Sequence, residues 1–137
     1  MMPREFVLTE HDAQISLDEP IFDSEGVLES YRVRLVDNGL SAVIRVDHSQ
    51  IFQGMPTYFS EIAEAWRGWT GEKNWRSAGA DFLLVTTCDS RGHITIKATI
   101  RPESSTDSWR ASTSVCVEAG QLDRIVNLTR LFFSGES

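Results

Sequence analysis

The chain has 137 residues, of which 41% are hydrophobic, and it carries a formal net charge of −7. This length suits one compact domain, residues 1–137, which needs neither a metal ion nor a disulfide to fold. No apolar run reaches the roughly 18 residues of a membrane-spanning helix, and the N-terminal residues do not resemble a signal peptide. We therefore predict a cytoplasmic protein that does not enter a membrane.

The negative charge is concentrated in residues 1–30, which hold eight acidic residues and one basic residue. Direct nucleic-acid binding needs a basic surface, so we do not expect it. The acidic segment would suit a basic protein partner, or it is simply a solvated loop that aids solubility. The acidic residues that we propose for such a contact are Glu10, Asp12, Asp18, Glu19, Asp23 and Glu25.

Alternating apolar residues predict a short strand over residues 5–9 and the start of a second at Ile15. Turn residues follow at 18–20 and 23–26. A firmer signal is Asn38-Gly39, which predicts a two-residue hairpin turn between residues 31–37 and 40–46. This register places Arg32 opposite Arg45, so either a neighbouring strand supplies an acidic residue or the arginines form an anion-friendly patch.

Phe59, Ile62, Ala63 and Trp66 share the spacing of one apolar helix face. Thr57 is the predicted N-cap, and the glycines at 68 and 71 end the helix.

A second hairpin turns at residues 89–93 and pairs Cys88 with Ile94 and Phe82 with Ile100. A last strand follows, with Trp109 among its inward residues. Residues 120–133 then predict a terminal helix with a wide apolar face, whose flank would serve an oligomer contact if the protein is a homodimer rather than a monomer.

Together these elements predict an α+β fold with a core over residues 31–133. We expect one antiparallel sheet of about five or six strands, built from two hairpins, with two helices packed mainly on one face. Cys88 and Cys116 lie far apart in strand-like stretches, which favours buried free thiols over a disulfide.

No pattern in the sequence indicates catalysis. The three histidines, His11, His48 and His93, have no second ligand at metal-binding spacing, and no phosphate loop, nucleophile elbow or dinucleotide fingerprint is present. We therefore predict a protein that is not an enzyme and that uses no cofactor or metal.

Three of the four tryptophans fall within residues 66–75, where glycines break the chain. Trp66 completes the apolar helix face, so we assign it to the core. Trp69 and Trp75 either plug the end of the sheet or belong to a recognition surface. The second alternative is open because Trp and Arg dominate binding hot spots and irregular loops carry function. The candidate binding residues of this stretch are Arg67, Trp69, Lys73, Trp75 and Arg76.

These motifs resemble a family of small uncharacterised bacterial domains with a WRGWxGExxW pattern. The resemblance rests on Trp66-Arg67-Gly68-Trp69, Gly71-Glu72, Trp75, Asp89-x-x-Gly92-His93-Ile94, Trp109 and Glu118-Ala119-Gly120-Gln121-Leu122. The order of elements is more loosely similar to the WapI-type immunity proteins of polymorphic toxin systems. That resemblance implies a protein that binds and neutralises a toxin, often a nuclease, by covering its basic active site.

Two other functions fit the sequence. One is a small-ligand-binding domain, in which Arg67, Trp69, Trp75 and Arg76 line a pocket. The other is a structural or oligomeric subunit that associates through the C-terminal helix.

Overall fold

The computed structural model describes residues 4–49, 54–102 and 108–134, and its strands form two separate antiparallel sheets. Sheet A is a meander of β1 (Glu5–Glu10), β2 (Ala13–Phe22), β3 (Leu28–Asp37) and β4 (Leu40–Asp47). Sheet B is a second meander of β5 (Lys73–Arg76), β6 (Phe82–Cys88), β7 (His93–Ile100) and β8 (Ala111–Glu118). Helix α1 (Met55–Glu64) joins the sheets, and α2 (Leu122–Ser134) follows β8 through a 3-10 turn, Ala119–Gln121.

The prediction of one sheet with five or six strands is wrong, because the strands divide into two sheets of four. Residues 5–22 form β1 and β2, which join the first hairpin, and the turn predicted at residues 18–20 is instead part of β2. Each meander has one apolar face, and both faces belong to a single hydrophobic core. When the two sheets pack face to face, both apolar surfaces are removed from water, and this burial is the main driving force of folding.

The helices also depart from the prediction, since they do not cover one face of a single sheet. They pack against each other and reach both sheets. In α1, the Phe59 ring lies 6.3 Å from that of Phe6 in sheet A, while the Tyr58 hydroxyl lies 2.6 Å from Thr86 Oγ1 in sheet B. The helix begins at Met55 rather than behind a Thr57 cap. In the described part of the chain, no helix has the length and apolarity needed to cross a membrane.

The registers predicted for both hairpins are confirmed. Cys88 pairs with Ile94, and Arg32 lies opposite Arg45. The acidic residue expected beside these arginines is Asp18 on β2, whose carboxylate accepts two hydrogen bonds from Arg32, at 2.6 and 2.8 Å. A bidentate pair of this kind offsets the repulsion between the two opposed guanidinium groups.

Side chains from sheet A also bond directly to β8 of sheet B. The Thr113 hydroxyl donates to Asp37 Oδ2 at 2.6 Å, and the Cys116 amide donates to Glu10 Oε1 at 2.8 Å. Asp37 ends β3 and Glu10 ends β1, so β8 lies across the ends of these two strands. This contact brings one end of sheet A next to the β6–β7 end of sheet B.

The bond between Tyr58 and Thr86 is buried, since the two residues are 2% and 0% exposed. We expect Tyr58→Phe to lower the free energy of unfolding by about 1–3 kcal/mol, because it leaves the Thr86 hydroxyl unsatisfied. Thr86→Val added to that variant should restore part of the loss, since both partners are then apolar. Urea denaturation of the four proteins measures this, and a loss below about 0.5 kcal/mol for Tyr58→Phe would contradict it.

The bond from Thr113, followed by that from the Asn38 amide, holds the pKa of Asp37 below its ordinary value of 3.8. A lowered carboxyl pKa stabilises the fold above the unfolded value, and this stabilisation is lost as the pH falls through the folded value. We therefore expect the stability difference between wild type and Thr113→Val to be constant near neutral pH and to shrink below about pH 4. Thermal melts at several pH values measure the difference.

Thr99→Val is the matched control for that measurement, because the Thr99 hydroxyl bonds the Ser112 hydroxyl and, among the described residues, no carboxylate. Its stability difference from wild type should not change over the same acidic range. If the two variants respond to pH alike, the contribution assigned to Asp37 is absent.

Candidate functional site: the tryptophan corner and its carboxylates

Helix α1 ends at Glu64, two residues before Trp66. The chain then turns, and the Gly68 amide donates to the Ala65 carbonyl at 2.8 Å. Trp66 is therefore beyond the helix whose apolar face it was expected to continue, and its assignment to the core is wrong. Its side chain is 55% exposed. The Arg67 guanidinium lies 5.0 Å from the centre of the Trp66 ring, which is a cation–π contact.

The other two tryptophans of this stretch differ in burial. Trp75 on β5 is 8% exposed and meets the Phe82 ring edge to face at 5.4 Å, so it plugs the core. Trp69 is half-buried, and the Lys73 ammonium lies 5.5 Å from its ring centre. The Trp69 indole nitrogen is enclosed and has no hydrogen-bond partner among the described residues. The structure thus places Arg67 against Trp66 and Lys73 against Trp69, while Trp75 belongs to the core.

Arg76 does not join this corner. It follows Trp75 on β5, and successive strand residues point to opposite faces of a sheet. Trp75 enters the core, so the exposed Arg76 lies on the outer face of sheet B. Trp75 and Arg76 both border a small cavity of about 10 Å³, which Tyr31, His48 and Ser77 also line; neither Arg67 nor Trp69 lines it.

An open cavity of about 510 Å³ lies beside Trp66. It is lined by Ala63, Trp66, Ala119, Gly120, Leu122 and Asp123. The wall opposite Trp66 comes from the 3-10 turn and the start of α2. Small residues at 63, 119 and 120 leave the space open, so an exposed aromatic ring borders a cavity that another side chain could enter.

Carboxylates flank the same end of the molecule. His93 lies between two of them, with Nδ1 at 3.1 Å from Asp89 Oδ2 and Nε2 at 3.5 Å from Glu118 Oε1. Backbone amides of His93 and Arg91 also bond Asp89 and lower the pKa of its carboxyl group, which favours the charged form. Glu118 directly precedes the 3-10 turn that lines the cavity.

The tryptophan corner and these carboxylates are neighbours. A side chain added at Gly68 would begin 3.7 Å from the Cys88 sulfur, and Cys88 directly precedes Asp89. We call the surface formed by Trp66, Arg67, Asp89, His93 and Glu118, with the adjoining cavity, the corner surface.

Of the six acidic residues proposed from the sequence, two lie near the corner surface. Glu10 bonds the Cys116 amide, and Asp12 is exposed in the β1–β2 turn that follows. Burial, followed by the nearby charge of Glu10, raises the pKa of the Cys116 thiol. A raised pKa disfavours the thiolate, so this thiol is poorly suited to nucleophilic chemistry.

The other four acidic residues lie elsewhere. Asp18 is bonded to Arg32, and a Glu19 oxygen is 3.5 Å from the same guanidinium. Asp23 and Glu25 are in the β2–β3 turn at the far end of β2, where Asp23 Oδ1 accepts bonds from the backbone amides of Glu25 and Val27. Asp18, Glu19 and Asp23 thus interact within sheet A, whereas Glu25 is exposed in the turn at the opposite end of β2 from Glu10 and Asp12.

Sequence reasoning missed three members of the corner surface: Asp89, His93 and Glu118. The turn at residues 89–93 was identified, and its register could have placed Asp89 beside His93. Glu118 could not be placed, because nothing in the sequence sets the register in which β8 pairs with β7. In the structure Glu118 is the direct partner of His93.

The corner surface brings aromatic and charged groups together. Among the described residues, no group of three His, Cys, Asp or Glu side chains is placed to hold a metal ion. Its features are an exposed aromatic ring, a stacked arginine, a cavity and charged carboxylates. Exposed aromatic rings and arginines of this kind are common in protein-binding surfaces.

The contrast between Trp66 and Trp75 can be measured. We expect Trp75→Ala to lower the free energy of unfolding by about 3–5 kcal/mol and Trp66→Ala by less than about 0.5 kcal/mol. Trp66→Phe should also remove much of the tryptophan emission that acrylamide quenches in the folded protein. Equal stability losses for the two alanine variants would show that Trp66 is buried.

Comparison with known proteins places the fold and the family. No curated protein matches the chain. The plant transcriptional regulator PBF-2 has a similar structure, with a TM-score of 0.53 and 8% identity over 98% of this chain and 84% of that one. WHY1 from Arabidopsis thaliana is also similar, with a TM-score of 0.51 and 7% identity over 98% and 93%. Because identity is so low, these likenesses concern the fold alone. Residues 7–136 match DUF6228, a family of unknown function, and the chain belongs to that family.

Proposed function

We propose that the chain is a non-catalytic binding protein whose corner surface holds a basic protein partner, as an immunity protein holds its toxin. One observation carries the proposal: Trp66, 55% exposed, borders a cavity of about 510 Å³ at an end of the molecule flanked by carboxylates. Leaving a large aromatic ring in water forgoes about 2 kcal/mol of burial, which a partner would recover.

The surrounding charges support a basic partner. Asp89 and Glu118 flank His93. Glu10 adds a third carboxylate, which accepts a hydrogen bond from the Cys116 amide. The whole chain has a formal net charge of −7, so its electric field attracts a positively charged partner at long range and speeds association. The same net charge is the reason that nucleic acid is not included among the partners. Arg67, stacked on Trp66, would bond an acceptor group at the edge of the contact.

The test is to co-produce the chain with a toxin-like protein encoded beside its gene and to measure growth rescue and affinity. We expect Trp66→Ala to weaken the complex by at least about thirtyfold, as truncation of a hot-spot residue does. Trp109→Ala is the matched control, since Trp109 is also exposed, at 48%, and lies outside the corner surface. If both variants bind and protect as wild type does, the corner surface is not the contact.

A second pair of variants in the same test measures how much the carboxylate charge contributes to partner binding. Glu118→Gln keeps the acceptor oxygen that caps the 3-10 turn but removes the charge, so it should slow association and reduce its salt dependence. Glu25→Gln removes an exposed charge at the far end of β2 and should leave both quantities almost unchanged. Equal effects would mean that only the net charge of the chain matters.

A further inference from the structure

The outward face of α2 carries charges that make no ion pair in the part of the chain that the structure describes. Asp123, Asn127, Arg130 and Leu131 are exposed on it. Neither Asp123 nor Arg130 makes an ion pair within the described ranges. The two residues are seven positions apart, which is roughly 10 Å along a helix, too far for them to pair with each other.

An open furrow runs beside this face, between α2 and α1. Its volume is about 400 Å³, and it is lined by Ser60, Ala63, Glu64, Asp123, Val126, Asn127 and Arg130. Ser60 and Ala63 are small, so α1 leaves a groove along the polar stripe of α2. Helices associate by placing the side-chain ridge of one into such a groove of another.

Leu131 adds an apolar contact to the same face. It is 46% exposed, whereas the inward residues Ile125, Val126 and Phe132 of α2 are at most 5% exposed. Leu131 and Arg124 lie on one side of Asn127 around the helix, while Asp123 and Arg130 lie on the other, because each residue advances 100°. Asn127 is therefore at the centre of the face, with one pair of residues on each side of it.

We propose that the occupant of this face is α2 of a second copy of the chain, packed antiparallel about a twofold axis at Asn127. A twofold axis there sets Asp123 against Arg130 of the second copy, and Arg130 against its Asp123. It also sets Leu131 against the aliphatic stem of Arg124 of the second copy. An isologous contact needs this self-complementarity, in which each interaction occurs twice.

An unrelated acidic or basic helix would satisfy one of the two charges and repel the other. A second copy satisfies both, which is the reason to prefer self-association here. The Trp66 ring lies outside this contact, whereas Ala63 and Asp123 line both the furrow and the cavity beside Trp66, so the dimer contact and the corner surface share one edge.

Sedimentation velocity of the full chain, from about 5 μM to about 1 mM, tests the proposal. Wild type should dimerise reversibly in this range, and Leu131→Glu should raise the dissociation constant by at least about tenfold. Ile21→Glu is the matched control, because Ile21 is 48% exposed and lies on β2. Its dissociation constant should equal that of wild type.

A charge reversal identifies the register. Asp123→Arg places two arginines together at each end and should weaken the dimer, and so should Arg130→Asp. The double variant restores both pairs and should recover most of the affinity, while thermal melts confirm that each variant is folded. A monomer at every concentration would overturn the proposal, and so would a dimer that these variants leave unchanged. Neither result would bear on partner binding through Trp66.

Discussion

Tyr31 lies where both sheets and the C-terminal helix meet, and the packing around it holds the three together. It is 1% exposed on β3 of sheet A, and its ring meets Phe82 of sheet B at 6.5 Å and Phe132 and Phe133 of α2 at 6.0 and 5.4 Å. Burial raises the pKa of Tyr31, so the phenol stays neutral at physiological pH. Edge-to-face contacts of this kind require the two sheets to face each other, with the helix closing one side.

The corner surface follows from that arrangement. With the sheets face to face, β8 crosses the ends of β1 and β3, where Glu10 and Asp37 bond it. Glu118, at the end of β8, is thereby placed beside His93, and the following turn lines the cavity next to Trp66. Glu10, His93 and Glu118 are all far from Trp66 in the sequence. The surface is thus a product of the tertiary fold.

Local structure could be predicted from the sequence, and assembly could not. The Asn38-Gly39 turn and the alternating residues around it set the register of β3 and β4, because a one-residue slip would expose the apolar side chains. No comparable signal says which hairpins share a sheet, so residues 5–22 were placed outside the core. Trp66 was misplaced because apolar spacing alone does not show where a helix ends, and α1 stops at Glu64.

The central claim is that the corner surface, rather than either sheet face, meets the partner. Amide hydrogen exchange of the chain with and without its bound basic partner tests this most directly. Slowed exchange should appear in residues 65–72 and 116–121 and leave the β2–β3 turn at Asp23 unchanged. Protection confined to that turn or to the outer strands of sheet A, with exchange around Trp66 unaltered, would contradict it.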